Sequence, residues 1–117
     1  MLIKHLHTVV ETPEFQKRAK GKFSAKELRE FIDHIAANPD AGDLMAETGG
    51  ARKLRWATGN KGKSGSVRVI TFYSGADIPV FLLTVFGKGE KSNLSKAERN
   101  QLRKGLKILV AAYTAHD

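Results

Sequence analysis

Between Arg52 and Arg68 the chain carries six basic residues (Arg52, Lys53, Arg55, Lys61, Lys63, Arg68) and no acidic one. A second basic tract follows at Gly87-Lys88-Gly89-Glu90-Lys91. Guanidinium and ammonium groups are the side chains that grip a phosphate, the first as a planar fork and the second as a point charge. Their spacing matters more than their number. In Arg52-Lys53-Leu54-Arg55-Trp56-Ala57 the pattern alternates. On a β-strand, Lys53 and Arg55 project from one face and Leu54 and Trp56 from the other. A rigid sheet then holds two cations side by side with an apolar anchor behind them, an arrangement able to hold a phosphate and to act on it.

Other candidates are weighed against plainer readings. Arg68 enters a strand that is otherwise apolar (Val67, Val69, Ile70, Phe72). Either it pairs with an acid, or it is aimed into a site beside Lys53 and Arg55; spacing alone leaves both open. Gly87-Lys88-Gly89-Glu90-Lys91-Ser92 lacks the spacing of a Walker A loop. It is either a tight turn with exposed lysines or a presenter of backbone N–H groups and two lysines to a phosphate. Trp56 has the type to stack on a base, but its parity groups it with Leu54, which favours core packing. His5 and His7 are two apart, and His34 and His116 are isolated, with no carboxylate cluster at ligand spacing. The reading is no metal site and no cofactor.

These side chains need elements to position them. Leu2 to Val10 reads as a first strand. Thr12-Pro13-Glu14 is a helix start, with Thr as N-cap and Pro in the first turn, and that helix ends near Gly21. Ser24-Ala25-Lys26-Glu27 is a capping box opening a helix with Leu28, Phe31, Ile32 and Ile35 on one face, stopped by Asn38-Pro39. Asp40 to Gly50 is a polar connection. Three strands follow at Arg52–Thr58, Ser66–Ser74 and Pro79–Phe86, the last apolar enough for a central position. The link Gly59-Asn60-Lys61-Gly62-Lys63-Ser64-Gly65 reads as a mobile loop. Ser95-Lys96-Ala97-Glu98 is a second capping box, ahead of a Leu102, Leu106, Leu109, Tyr113 stripe. Helices first and consecutive strands after them predict an α+β fold of about four strands, with two N-terminal helices and one C-terminal helix.

Composition narrows the class. At 117 residues the chain reads as one domain, residues 1–117, able to bury roughly 65% of its unfolded surface. It has no cysteine, which excludes disulfides and thiolate metal sites. No apolar run reaches membrane-span length, and the N-terminus has histidines where a signal peptide is apolar, so a soluble, cytoplasmic protein is expected. The net charge of +8 is lopsided. Residues 1–50 hold 7 Lys+Arg and 8 Asp+Glu; residues 51–117 hold 13 and 4. A basic half on a neutral half points to a polyanionic partner such as nucleic acid.

Three segments in order carry a family resemblance: Gly49-Gly50-Ala51-Arg52-Lys53-Leu54-Arg55; Gly65-Ser66-Val67-Arg68-Val69-Ile70; and Phe81-Leu82-Leu83-Thr84-Val85-Phe86-Gly87-Lys88-Gly89-Glu90-Lys91-Ser92-Asn93-Leu94. Over about residues 24 to 110 the chain resembles RelE/ParE-superfamily toxins, most closely the HigB-like branch of RelE toxins from bacterial type II toxin–antitoxin pairs. The resemblance implies a small twisted antiparallel sheet with helices packed beside it. It also implies a metal-independent, ribosome-dependent endoribonuclease, an mRNA interferase that enters the ribosomal A site and inhibits translation by cutting the message.

Lys53 and Arg55 match the family's basic pair on the strand after the helices, and Arg68 the arginine that starts the next strand. Lys91 matches the basic residue after the Gly-Lys-x-Glu turn and Lys88 the one within it. The resemblance thus implies Lys53, Arg55, Arg68 and Lys91 as catalytic, with Arg52, Lys61, Lys63 and Lys88 contacting RNA and ribosome. In such cleavage the 2′-hydroxyl attacks the adjacent phosphate, and preorganised cations stabilise charge developing on its non-bridging oxygens. A lysine crowded by other cations gives up its proton more readily and suits the base. Some relatives carry Tyr or His near the last strand, where this chain has Phe86, Asn93 and Leu94, so acid and base stay open. Implied partners are mRNA on the ribosome and a cognate antitoxin with its own DNA-binding helix-turn-helix. ParE-like members, which inhibit DNA gyrase, and non-catalytic nucleic-acid-binding modules are the alternatives.

Overall fold

The computed structural model describes residues 6–60, 63–75, 77–87, 89–90 and 93–114. In chain order the elements are β1 (Val9–Glu11), α1 (Pro13–Ala19), α2 (Ala25–Ala37), β2 (Asp43–Leu44), β3 (Ala51–Asn60), β4 (Lys63–Phe72), β5 (Val80–Phe86) and α3 (Lys96–Thr114). Local signals set the helix starts. The Thr12 side chain accepts from Phe15 N–H, with Pro13 at the first helical position. Ser24 and Glu27 form a reciprocal capping box, and Ser95 and Glu98 repeat it ahead of α3.

The strands form one five-stranded sheet in the order β1-β5-β4-β3-β2. The α+β class holds, but the sheet is mixed rather than antiparallel, because β1 runs parallel to β5 (Val9 beside Val80). The fifth strand is β2, two residues inside the expected connection, paired as Asp43 with Lys53 and Leu44 with Arg52. So short an edge strand has no periodicity to read. The expected loop at 59–65 is also corrected. Strands β3 and β4 continue as a paired ladder until Asn60 pairs with Lys63. Polar side chains that alternate across a two-sided hairpin extension resemble a loop in sequence.

Both sheet faces are covered, unequally. One packs Val67, Val69, Val80, Leu82 and Val85 against Phe15, Ala19, Phe31 and Ile35 of α1 and α2. The other packs Ala51, Ile70, Phe72, Phe81 and Phe86 with Leu106 of α3, and Leu102, Leu109 and Val110 flank it. Strand β5, hydrogen-bonded on both sides and largely buried, has the apolar run such a position demands, broken only by Thr84. Helix α3 covers the Ala51–Phe72–Phe81 end of its face. The other end carries Lys53, Arg55 and Arg68.

Candidate functional site

Register brings the predicted cations together. Residues paired across antiparallel strands share a face. Arg55 pairs with Arg68, and Arg68 with Phe86; one step along, Lys53 pairs with Ile70, and Ile70 with Thr84. Lys53, Arg55 and Arg68 therefore rise from one patch on the α3 side of the sheet. Arg55 is exposed, and Lys53 and Arg68 are half-buried. Leu54 and Trp56 pack on the opposite face, with the Trp56 ring 5.2 Å from Phe31 and 5.1 Å from His34, centroid to centroid. Trp56 is a core residue, as its parity indicated.

Two guanidiniums directly opposite one another repel, and a sheet normally avoids the pairing. Here no described carboxylate within 4 Å answers either one. Arg68 instead donates from Nη1 to Ser66 Oγ at 3.1 Å, a neutral partner two residues back that orients the fork and leaves its charge uncompensated. Of the two readings of Arg68, pairing with an acid finds no partner among the described residues. Lys53 is steadied by Asn93, whose Oδ1 accepts from Nζ at 2.8 Å and ties the segment ahead of α3 to the middle of the sheet. Electrostatically, the patch is a cluster of cations whose described side-chain partners are neutral oxygens.

Arg52 does not join the patch. Its parity puts it on the α1/α2 side with Leu54, and its guanidinium donates to the Gly42 carbonyl at 3.1 Å, a tie across the β2–β3 turn. Arg52 was expected to contact RNA; in the structure it makes this tie to the Gly42 carbonyl, away from Lys53, Arg55 and Arg68. Lys61, Lys88 and Lys91 lie outside the described residues, and for Lys63 only the backbone is described. The turn after β5 shows what holds it. Glu90 accepts from Gly87 N–H at 2.7 Å and pairs with Lys22 at 3.2 Å. Of the two readings of this segment, a tight turn or a presenter of N–H groups to phosphate, the Gly87 amide fits the first, because the turn's own carboxylate takes it. That backbone hydrogen bond, with Lys22 and Arg18 assisting, holds the Glu90 carboxyl below its ordinary range.

Arg18 and Glu14 were missed from sequence. Helix α1 lies along β5 beyond the end of β1, with the Thr12 hydroxyl donating to the Leu82 and Leu83 carbonyls. From there Glu14 accepts from Thr84 Oγ1 at 3.2 Å, and Arg18 sits 5.7 Å over the Phe86 ring, bonded to Glu14. A line of Arg55, Arg68, Phe86 and Arg18 thus crosses the face. The Arg18 hydrogen bond lowers the Glu14 carboxyl below its ordinary value, so the carboxylate is ionised at neutral pH. The Glu14–Arg18 spacing of four is legible in sequence. Its reach to Phe86 depends on the parallel β1–β5 pairing, which is not. Among the described residues no group of three or more His, Cys, Asp or Glu is placed to hold a metal ion.

A cationic patch on a small mixed sheet between two helical layers is now defined. Residues 7–116 match the model of a family described as the RelE toxin of the RelE / RelB toxin-antitoxin system. The chain belongs to the RelE toxin family. The match takes in every described element, so the RelE assignment covers both the scaffold and the patch. A RelE toxin is one half of a pair, and the family implies a cognate antitoxin as partner. No helix among the described residues is long and apolar enough to cross a membrane.

Proposed function

We propose that this RelE-family toxin is a ribosome-dependent endoribonuclease that cuts mRNA in the A site, in the cytosol and without a metal. The observation that carries this reading is the cross-strand Arg55–Arg68 pair with Lys53 on the same face. Two facing guanidiniums without a carboxylate cost stability in the free protein, and that cost is offset when a phosphate lies between them. The whole of residues 1–117 acts as one domain, on the HigB-like plan that its motifs resemble.

In the reaction the 2′-hydroxyl oxygen bonds to the adjacent phosphorus as the bond to the 5′-oxygen breaks. The products are a 2′,3′-cyclic phosphate and a 5′-hydroxyl. Arg55 and Arg68 hold the non-bridging oxygens as their charge grows, a preorganised field that needs no rearrangement at the moment of reaction. The 2′ proton passes to a base and the 5′-oxygen takes up a proton as it leaves; Lys53, held by Asn93, is our candidate for the base. Lys91 completes the catalytic set by its match to the family motif. Lys61, Lys63 and Lys88 add attraction for ribosomal and messenger RNA.

The deciding experiment adds purified protein to a translation extract with a defined message and maps cuts with and without ribosomes. Cuts in frame with codons, and only with ribosomes, are expected. Efficient cutting of naked RNA overturns ribosome dependence. An intact message under elongating ribosomes removes the nuclease reading and leaves gyrase inhibition or simple nucleic-acid binding.

A further inference from the structure

Helix α1 and strand β5 are joined along one side, in register. Four residues of helix rise about 6.0 Å and two residues of strand about 6.6 Å, so side chains at i and i+4 on the one keep pace with j and j+2 on the other. Glu14 accepts from Thr84 Oγ1 at 3.2 Å. Arg18, four residues on, lies over the ring of Phe86, two residues on. Lys22, in the turn after α1, continues the line. Its Nζ pairs with Glu90 Oε1 at 3.2 Å and donates to the Arg18 carbonyl at 2.8 Å, and a Cβ on Gly87 would meet its stem at 3.3 Å. Glu14 and Arg18 are bonded to each other, and Arg18 Nη1 stands 3.9 Å from the second Glu90 oxygen. One polar chain thus runs from Thr84 to the turn after β5.

Its far end meets the site. Phe86 is the cross-strand partner of Arg68. Glu90 closes its turn by accepting from Gly87 N–H at 2.7 Å, and the chain passes from it directly into Lys91. The ion pairs of this line are partly exposed, and exposed pairs contribute little to stability. What they supply in register is position. The carboxylate that closes the turn is held from outside, by two cations of the α1 segment, as well as by its own backbone.

We infer that Lys22 and Arg18 are positioning residues for the cleavage proposed above, acting through Glu90 and Phe86 to fix the turn that leads into Lys91. Neither is assigned a contact with the phosphate. The role rests on the nuclease reading, because it is that chemistry whose geometry is held, and a misplacement of about 1 Å costs such a reaction up to about 10²-fold.

The test has two arms, both on the whole chain. In the first, ribosomes stalled on a defined message are cut in a single turnover at rising protein concentration. Lys22→Met keeps the stem beside Gly87 and removes the ammonium. It is expected to lower the saturating rate about tenfold, to leave the half-saturating concentration within about twofold, and to melt within a few degrees of wild type. Lys22→Arg, a cation of similar reach, is expected to bring the rate back to within about twofold of wild type. Arg29→Gln removes an exposed cation of α2 outside the line and is expected to cut as wild type. Wild-type cutting by Lys22→Met, or no recovery in Lys22→Arg, overturns the positioning role. A change confined to the half-saturating concentration also overturns it and makes Lys22 a contact to RNA. In the second arm, hydrogen exchange is followed at the Gly87 amide of the free protein. It is expected to be about tenfold faster in Lys22→Met and restored in Lys22→Arg. Equal exchange in all three proteins overturns the role, whether or not the protein cuts. If wild-type protein cuts no message, the nuclease reading falls separately, and exchange at Gly87 still decides whether Lys22 fixes the turn.

Discussion

Arg68 and Thr71 sit three residues apart on β4 and face opposite sides of the sheet, and each carries a polar group at odds with its setting. Arg68 is half-buried with only a neutral serine oxygen as its described partner. Under the nuclease reading Arg68→Ala is expected to lower the cutting rate by about 10²–10⁴-fold, because it removes a preorganised donor from the charge that develops on phosphate. Lys61→Ala with Lys63→Ala is expected to cost far less, through weaker sequence-independent attraction and a shallower salt dependence. Toxicity assays of both sets check this; a lethal Arg68→Ala beside a harmless Lys61/Lys63 double variant reverses the assignment. Thr71 is fully buried, and its hydroxyl has no hydrogen-bond partner among the described residues. Valine keeps the shape and removes the orphan group, so Thr71→Val is expected to raise stability by up to about 1–2 kcal/mol, read from chemical denaturation. The alternation of Lys53 and Arg55 against Leu54 and Trp56 was legible because a strand's period of two is a local property. The partner of Arg68 was not, because two residues of one strand reveal nothing about the acids that folding brings near.

At the level of elements, tight approaches hold the patch in place. Gly42 has a φ of +96°, and a Cβ there would lie 2.8 Å from the Lys53 carbonyl oxygen. Gly42→Ala therefore strains the turn and pushes on the strand that carries Lys53; a loss of about 1–3 kcal/mol is expected, with reduced toxicity at an unchanged fold. The turn after β5 is pinned by a carboxylate, so its rigidity depends on acid. The folded pKa of Glu90 lies below its ordinary value of 4.5. Its stabilising effect is thus complete above that value and fades as pH falls through the lower folded value. Wild type and Glu90→Gln are expected to differ most in Tm near neutral pH and to converge below about pH 4, a comparison that thermal melts across pH settle. Helix starts were legible in sequence, since Thr12-Pro13 and the two capping boxes act over three or four residues. Pairing was not. That β1 joins β5 in parallel, and that α1 then lies along β5 with Arg18 over Phe86, follows from contacts about seventy residues apart.

For the molecule as a whole, charge distribution and shape define what a partner must do. The principal extents are 48 × 46 × 23 Å, a slab whose broad α3 side carries the patch. Residues 51–117, with 13 Lys+Arg against 4 Asp+Glu, set a field that speeds capture of polyanions and equally of an acidic protein. Membership of the RelE family implies an antitoxin. The charge argues for an acidic segment that is partly disordered alone and orders on binding, since such a chain covers a wide flat surface at modest affinity per unit area. Under the nuclease reading it neutralises the toxin by covering Lys53, Arg55 and Arg68 or by enlarging it beyond the A site. Under the toxin–antitoxin reading we propose that operator binding by the pair comes from a helix-turn-helix of the antitoxin. The measurement is growth on expressing this chain alone and together with the adjacent reading frame, followed by purification of whatever stays bound. Arrest alone, rescue with the neighbour and a salt-sensitive complex are expected. A complex as tight at 1 M salt as at 0.1 M removes the acidic-partner argument, because the Debye length falls from about 10 to 3 Å over that range. If this chain alone leaves growth untouched and no neighbour co-purifies, the nuclease proposal loses its biological footing and plain nucleic-acid binding moves ahead of it.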